Sequence, residues 1–500
     1  MIVSPPSLDL AAHLLRAKLF AAEGFGLWDN WWYSGHHVLL YSVLFPAAAA
    51  AIGPQLAAAI ASTVTAILFD DLVHDRWGER AWLGSLWFSA GTATSLYTGR
   101  LTFAFGLAPA VGTAFALQRG RPAIAFGLAV LSALFSPVAA IFAALIGAAA
   151  AIAAFLAGRR GAAVAGLAVV AGALLPVATL AVAFPEGGTE PFAFSALWPI
   201  PLMAAGALIL IGRAETGLRV GIALYTIGCV IAYLIPSAIG SNAARLSGLV
   251  AGPLAALVLW PRRKWLLLAV APALVYVQWH APVRDVTTAV GDPSGTSAYY
   301  RPLISFLGRQ PGPPFRVEIP FTRFHWETYA VAPRFPLARG WERQLDIKYN
   351  HLFYGGRLTA AGYKAWLDQL AVRFVAVSDS SLDYSAKDEV ALIDRHPPYL
   401  RLVARLRHWR VYRVVGAAGL AQGAAVARAM GPNWIDLEAR HAGTAYVRVR
   451  YTPYWAITRG SGCVGPAGGF TKVSVRAPGT LRVGIRFSLS RIGSRAVRCT

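Results

Sequence analysis

Between residues 55 and 280 the chain is a succession of apolar runs, each roughly 16–24 residues long and closed by a short polar break. In hydrocarbon every backbone N–H and C=O must find a partner inside the protein, which leaves only helices or closed barrels. The runs lack the period-two alternation of a barrel strand. They predict a helical polytopic membrane bundle of about 10 spans, near 55–70, 81–97, 101–118, 123–136, 138–157, 161–184, 195–212, 219–237, 245–260 and 264–280. Ser136-Pro137 is read as a break between two spans, because one kinked span would upset the alternation of the loops described next.

Charge is scarce and unevenly placed. Only 14% of residues are charged, against about 25% in soluble domains. Residues 1–280 hold 15 Lys+Arg and 10 Asp+Glu, and residues 281–500 hold 31 and 14, so +17 of the net +22 lies in the last 220 residues. Arg119 and Arg121, Arg159-Arg160, Arg213 and Arg219, and Arg262-Arg263-Lys264 fall in alternate loops. The positive-inside rule makes those loops cytoplasmic and sends residues 281–500 outside a bacterial inner membrane. The expected division is an extracytoplasmic amphipathic and aromatic region at 1–54, the bundle at 55–280, an exported α/β domain at 281–419 and a β-rich module at 420–500.

The opening is at odds with this order. MIVSPPSLDL has neither the basic nor the apolar region of a signal peptide, yet the loop count puts it outside. Val38–Ile52 is about 15 residues, short for a span, and reads as an interfacial or re-entrant helix. A first helix upstream of this sequence would then deliver the opening stretch; the alternative is that 38–52 itself crosses.

That stretch gathers chemistry-bearing residues. Asp9, His13 and Arg16 recur at i, i+4 and i+7 and share one helix face beside apolar Leu8, Ala12, Leu15 and Leu19, the pattern of a helix lying on a membrane surface. The bland reading is a solvated face with an acid favouring the helix dipole. GLWDNWWYSGHH follows. Trp28, Trp31, Trp32 and Tyr33 suit either an interfacial aromatic belt or a sugar-stacking platform, with Asp29, His36 and His37 as polar anchors. A divalent metal on His36, His37 and an acid is conceivable, but the spacing is not diagnostic and no metal is expected.

D-L-A-A-H-L-L-R, then G-L-W-D-N-W-W-Y-S-G-H and Y-S-V-L-F-P, resembles the first extracytoplasmic loop of the GT-C superfamily. These are polytopic glycosyltransferases that use polyprenyl-phosphate sugars; the nearest flavour is the bacterial group labelled 6-pyruvoyl-tetrahydropterin synthase-related membrane proteins. The resemblance implies that Asp9 is the catalytic base, with Asp29 second and His13 beside it. It departs from the family in lacking the first helix. The chemistry it implies needs a carboxylate to take the acceptor proton, cations for the departing phosphate and a groove for the lipid tail. Arg16, Arg100 and Arg245 are the outside-facing arginines, with Asn242 in the same loop as Arg245. The bland reading of Arg100 and Arg245 is a snorkelling side chain.

In the exported part, VRDVTTAVGDPSGTSAYY reads as a polar linker. Arg316–Pro320, Arg373–Ser378 and Leu406–Val415 read as strands, and Tyr363–Ala371 and Ala386–His396 as helices. The aromatic, ion-rich stretch 327–354, with Glu327, Arg339, Glu342, Arg343 and Asp346, reads as an acceptor-binding loop packed back over the membrane cavity or as a structural ion-pair cluster. The tail alternates with period two and predicts a small antiparallel sandwich, structural or glycan-binding through Tyr454 and Trp455. Cys463 and Cys499 lie where a disulfide is permitted; sequence leaves the pairing open.

The expected function is transfer of a sugar from a lipid-linked polyprenyl-phosphate donor to an envelope glycan or glycolipid. Membrane lipid is the other expected partner, and nucleic acid is excluded. The rival readings are a flippase or transporter of lipid-linked glycans, disfavoured by uncharged span centres, and a non-catalytic envelope-binding protein.

Overall fold

The computed structural model describes residues 6–500; the reading of the first five as unlike a signal peptide lies outside the described residues. Contacts divide the chain into two compact units. One comprises Met1–His13, Leu40–Ala181 and Gly187–Val290; the other comprises Leu14–Leu39, Val182–Glu186 and Gly291–Thr500.

The chain opens with α1 (Leu10–Glu23) and a two-strand hairpin, β1 (Trp28–Asp29) and β2 (His36–His37). Helices then follow in close succession: α2 (Phe45–Ile52), α3 (Pro54–Trp77), α4 (Trp82–Tyr97), α5 (Leu101–Gln118), α6 (Pro122–Phe135), α7 (Pro137–Leu156), α8 (Arg160–Ala183), α9 (Phe194–Leu197), α10 (Pro199–Leu210), α11 (Thr216–Leu234), α12 (Arg245–Leu259) and α13 (Lys264–Ala289). Helix occurs at all ten expected places. Seven stretches among the described residues are long and apolar enough to cross a membrane, the first of them, Pro54–Tyr97, uniting α3 and α4. Two of the ten expected places hold shorter apolar helices. α6 has 14 residues, about 21 Å of rise against about 30 Å of hydrocarbon, and Phe194–Leu210 is also short. Val38–Ile52 forms no span either, because its helix, α2, has eight residues. The chain is a multi-pass membrane protein.

Close backbone approach holds this unit together. Gly147 of α7 and Gly166 of α8 face each other so tightly that a Cβ on either would lie 2.6–2.7 Å from the other's carbonyl oxygen, the small-residue contact that lets apolar helices associate in lipid. α3 packs on α4 and α5, α5 on α6, and α4 on α12. Trp87 Nε1 donates to Gln278 Oε1 at 2.9 Å, tying α4 to α13.

In the second unit a four-stranded sheet has the order β3 (Arg316–Glu318), β4 (Val372–Ser378), β6 (Trp409–Val414), β5 (Leu400–Arg405), with β3 parallel to β4 and the rest antiparallel. The helices α14 (Ser297–Gly308), α15 (Glu327–Ala330), α16 (Arg343–Tyr349), α17 (Ala360–Gln369) and α18 (Lys387–Ile393) accompany it. The polar linker read at 283–300 is instead largely helical, since α13 continues to Ala289 and α14 begins at Ser297. The tail is an antiparallel sandwich. One sheet runs β15 (Arg498–Cys499), β12 (Gly462–Ala467), β13 (Phe470–Val475), β10 (Gly443–Arg450), β7 (Ala421–Gly423). The other runs β11 (Trp455–Arg459), β14 (Gly479–Ile485), β9 (Trp434–Ala439), β8 (Ala425–Met430). Cys463 and Cys499 form a disulfide, and Cys229 is free and buried. Trp28 sits in the sandwich core with Trp455, Leu437 and Val473, so the sandwich core includes a ring from the start of the chain.

Candidate functional site

In the helical unit the sequence-predicted residues Asp9, Arg100 and Arg245 meet. Asp9 immediately precedes α1, and its carbonyl accepts the His13 N–H at 3.2 Å. The turn before α1 rests on the break between α4 and α5. Gly99 there has φ +72°, and a Cβ on it would lie 2.2 Å from Ser7 Oγ and 3.1 Å from Leu10 N. That contact, available only to glycine, puts Arg100, the next residue, at the edge of the cluster. Arg245 opens α12, with its guanidinium 5.4 Å from the Phe103 ring centroid. It interacts electrostatically with Arg100, Asp9, Tyr41 and Glu190. All five of these residues are partly exposed.

Glu190 fixes the loop before α12. Its Oε1 accepts from Ser241 Oγ at 3.3 Å and its N–H donates to Ser237 O at 2.9 Å. Gly240, at φ +41°, lies against its carbonyl. Asn242 is partly exposed in the same turn, its N–H donating to Ile239 O at 2.9 Å. His13 is fully buried, its ring 5.8 Å from Tyr41 and 5.4 Å from Phe45. The arrangement can accept a proton at a carboxylate and hold an anion between two guanidiniums, whose mutual repulsion an anion relieves. Sequence reasoning missed Tyr41 and Glu190. Tyr41 stood in the Y-S-V-L-F-P motif and Glu190 among the few acids of the first 280 residues, but nothing in one dimension joins them to Arg245.

The remaining predicted residues gather in the second unit and are buried. Asp29 pairs with His36 across the β1–β2 hairpin, and its Oδ1 accepts the Trp31 N–H at 2.8 Å. Burial pushes its carboxyl up to about 7, against the opposing pull of that N–H and of Arg16. Arg16 forms a buried ion pair with Glu342. Burial pushes the His36 imidazole down to about 4; it stacks on Trp32 at 5.8 Å, and its Nε2 lies 3.7 Å from Glu342. His13 and Arg16, the polar residues on α1 itself, are therefore not solvated, contrary to the surface-helix reading, and apolar Leu10, Ala12 and Leu15 are buried with them.

The aromatic stretch is core. Trp28, Trp32 and Tyr33 are 4%, 1% and 1% exposed, so protein atoms occupy their faces. Trp32 Nε1 donates to Thr328 O at 3.1 Å. Tyr33 Oη accepts the Glu342 N–H at 2.8 Å and donates to Gly340 O. Tyr454 and Trp455, read as a glycan platform, are likewise buried, donating to Ala183 O and Arg450 O. His36 and His37 lie on a strand and diverge. His37 Nδ1 is 2.8 Å from Glu186 and its Nε2 3.0 Å from Thr452. Among the described residues no group of three His, Cys, Asp or Glu side chains is placed to hold a metal ion.

Arg339 is bidentate to Asp346, also reaches Glu389, and lies between the Phe321 and Phe353 rings at 3.9 and 4.1 Å. Arg343 pairs with Asp383 at 2.7 Å. Burial holds the nearby Glu318 carboxyl well above its usual range and raises Glu389. The charges of 327–354 thus answer one another and their neighbours inside the domain.

No family model and no curated protein matches the chain. Among solved structures it is similar to ArnT from Cupriavidus metallidurans in the apo state, at 13% identity and a TM-score of 0.38, over 83% of this chain and 95% of that one. That likeness is too loose to carry an argument.

Proposed function

We propose that the protein is a membrane glycosyltransferase that moves a sugar from a polyprenyl-phosphate donor to a hydroxyl of an extracytoplasmic envelope acceptor. What supports the reading most is the meeting of Asp9 with Arg100 and Arg245 beside apolar helices. The resemblance of the opening stretch to the GT-C loop supports it too. In the reaction the acceptor oxygen bonds to the sugar's anomeric carbon as the bond from that carbon to the phosphate oxygen breaks. The acceptor's proton passes to the Asp9 carboxylate. The electron pair leaves with the polyprenyl phosphate, whose charge Arg100 and Arg245 offset. Asp29, buried and carrying a raised pKa in the other unit, has no part in this scheme.

The test is transfer from a radiolabelled polyprenyl-phosphate hexose or pentose into membrane acceptor. Asp9→Asn is expected to lower kcat by about 10²–10⁴ at equal expression, the range of a lost general base. Unchanged transfer in that variant would remove Asp9 from the mechanism. A wild-type protein that never consumes a lipid-phosphate sugar would overturn the function.

A further inference from the structure

α3, α5 and α6 enclose an apolar groove of about 500 Å³ that the proposed reaction does not use. Ile60 and Val64 of α3, Phe105 and Ala108 of α5, and Leu128 and Phe135 of α6 line it. Phe105 and Phe135 meet edge to face at 4.5 Å at one end, while Arg119 and Arg121 line the other. Fourteen residues separate Phe105 from Arg119, which caps α5; that is about 21 Å of helical rise, more than the roughly 15 Å half-thickness of a bilayer's hydrocarbon. The groove is therefore long enough for the chain of a lipid from one leaflet.

One arm of the α5–α6 hairpin is also short. α6 has 14 residues, about 21 Å of rise, and falls short of the about 30 Å of a hydrocarbon core, while α5, at 18, is within the length of a span. An arm that falls short draws its loop toward the depth of lipid phosphates, where arginines pair with them. The two arginines differ. Arg119 is bidentate to Asp75 of α3, at 2.7 and 2.9 Å, and its charge is answered. The Arg121 guanidinium has no hydrogen-bond or ion-pair partner among the described residues. An apolar slot that ends at one unanswered cation complements an amphiphile with one anionic head.

We propose that this groove holds one anionic phospholipid, its acyl chain against α3, α5 and α6 and its phosphate on Arg121. The site is distinct from the donor site, because Arg100 and Arg121 flank opposite ends of α5. It stands whether or not the protein transfers sugar.

The test is native mass spectrometry of the purified full chain after detergent exchange. Phosphatidylglycerol and phosphatidylcholine with identical chains are added in turn. Retention of one phosphatidylglycerol at least fivefold above phosphatidylcholine is expected. Arg121→Gln should bring the two within twofold, and Arg159→Gln, in another loop, should not. Val64→Trp places a ring in the groove from a side chain that is already 42% exposed, and should lower retention of both lipids. Equal retention by the wild type, or full retention in Val64→Trp, would overturn the proposal. So would displacement by an equal concentration of polyprenyl phosphate, which would make the groove part of the donor site.

Discussion

Glu327 offers a sharp test of how burial governs the second unit. The side chain is fully buried. Its Oε1 accepts the Thr322 N–H at 3.2 Å, its Oε2 lies 2.5 Å from Thr322 Oγ1, and Tyr300 Oη is 3.5 Å away. Burial is the main influence and raises the carboxyl from 4.5 to about 8, against the hydrogen bonds from Thr322. The folded state thus keeps a proton that the unfolded chain gives up near pH 4.5. Stability from this group is complete below that value and falls as pH rises, until the folded carboxyl ionises near 8. At about 1.36 kcal/mol per pH unit, the loss across that window is about 5 kcal/mol. Glu327→Gln keeps the acceptor for Thr322 and has nothing to ionise. Thermal unfolding followed by tryptophan fluorescence, from pH 5 to 9, should show the variant gaining on the wild type steadily up to about pH 8, then holding a constant lead. Parallel profiles for the two proteins would refute the reasoning, because the carboxyl would then be ionised in the folded state throughout.

Three further outcomes are expected. Arg245→Gln should raise the donor KM at least tenfold in the transfer assay while leaving the fold intact by circular dichroism; an unchanged KM would remove it from the phosphate site. Arg16→Met should cost about 3–5 kcal/mol in thermal or denaturant unfolding, because it strands a buried carboxylate, whereas Arg16→Met with Glu342→Leu should be close to neutral. Trp28→Ala empties a slot in the sandwich core and should cost about 3–5 kcal/mol, read as a fall in the midpoint of the same transition.

The helices were legible because hydrocarbon leaves the backbone few options, so a long apolar run is nearly a statement of structure. The tail strands were legible from alternation, as in the A-Y-V-R-V-R of β10. The partners were not. His13 and Arg16 were rightly placed on a helix, with Asp9 just before its start, but a heptad-like spacing says which residues share a face and not what that face meets. Arg16 meets Glu342, 326 residues away. An aromatic run reads alike whether it borders lipid or fills a protein core, and Trp28 to Tyr33 fill one. Asp9, Arg100 and Arg245 could each be singled out as a rare charge beside a span. Their convergence, with Tyr41 and Glu190, depends on a glycine contact and a loop that no local pattern encodes.

The hairpin that carries Trp28 and His37 completes a domain whose other parts are made last. His37 waits for Thr452, 415 residues downstream. At about 5–20 residues per second of synthesis, that is about 20–80 s. Through that interval the nascent chain carries Trp28, Trp31, Trp32 and Tyr33 without the core that will cover them. Tryptophan and tyrosine favour the boundary between lipid and water, so the membrane surface itself is a fitting shelter until the sandwich emerges. A ribosome stalled between residues 290 and 420 would then display these rings to a lipid-phase quencher, and release of the full chain would hide them.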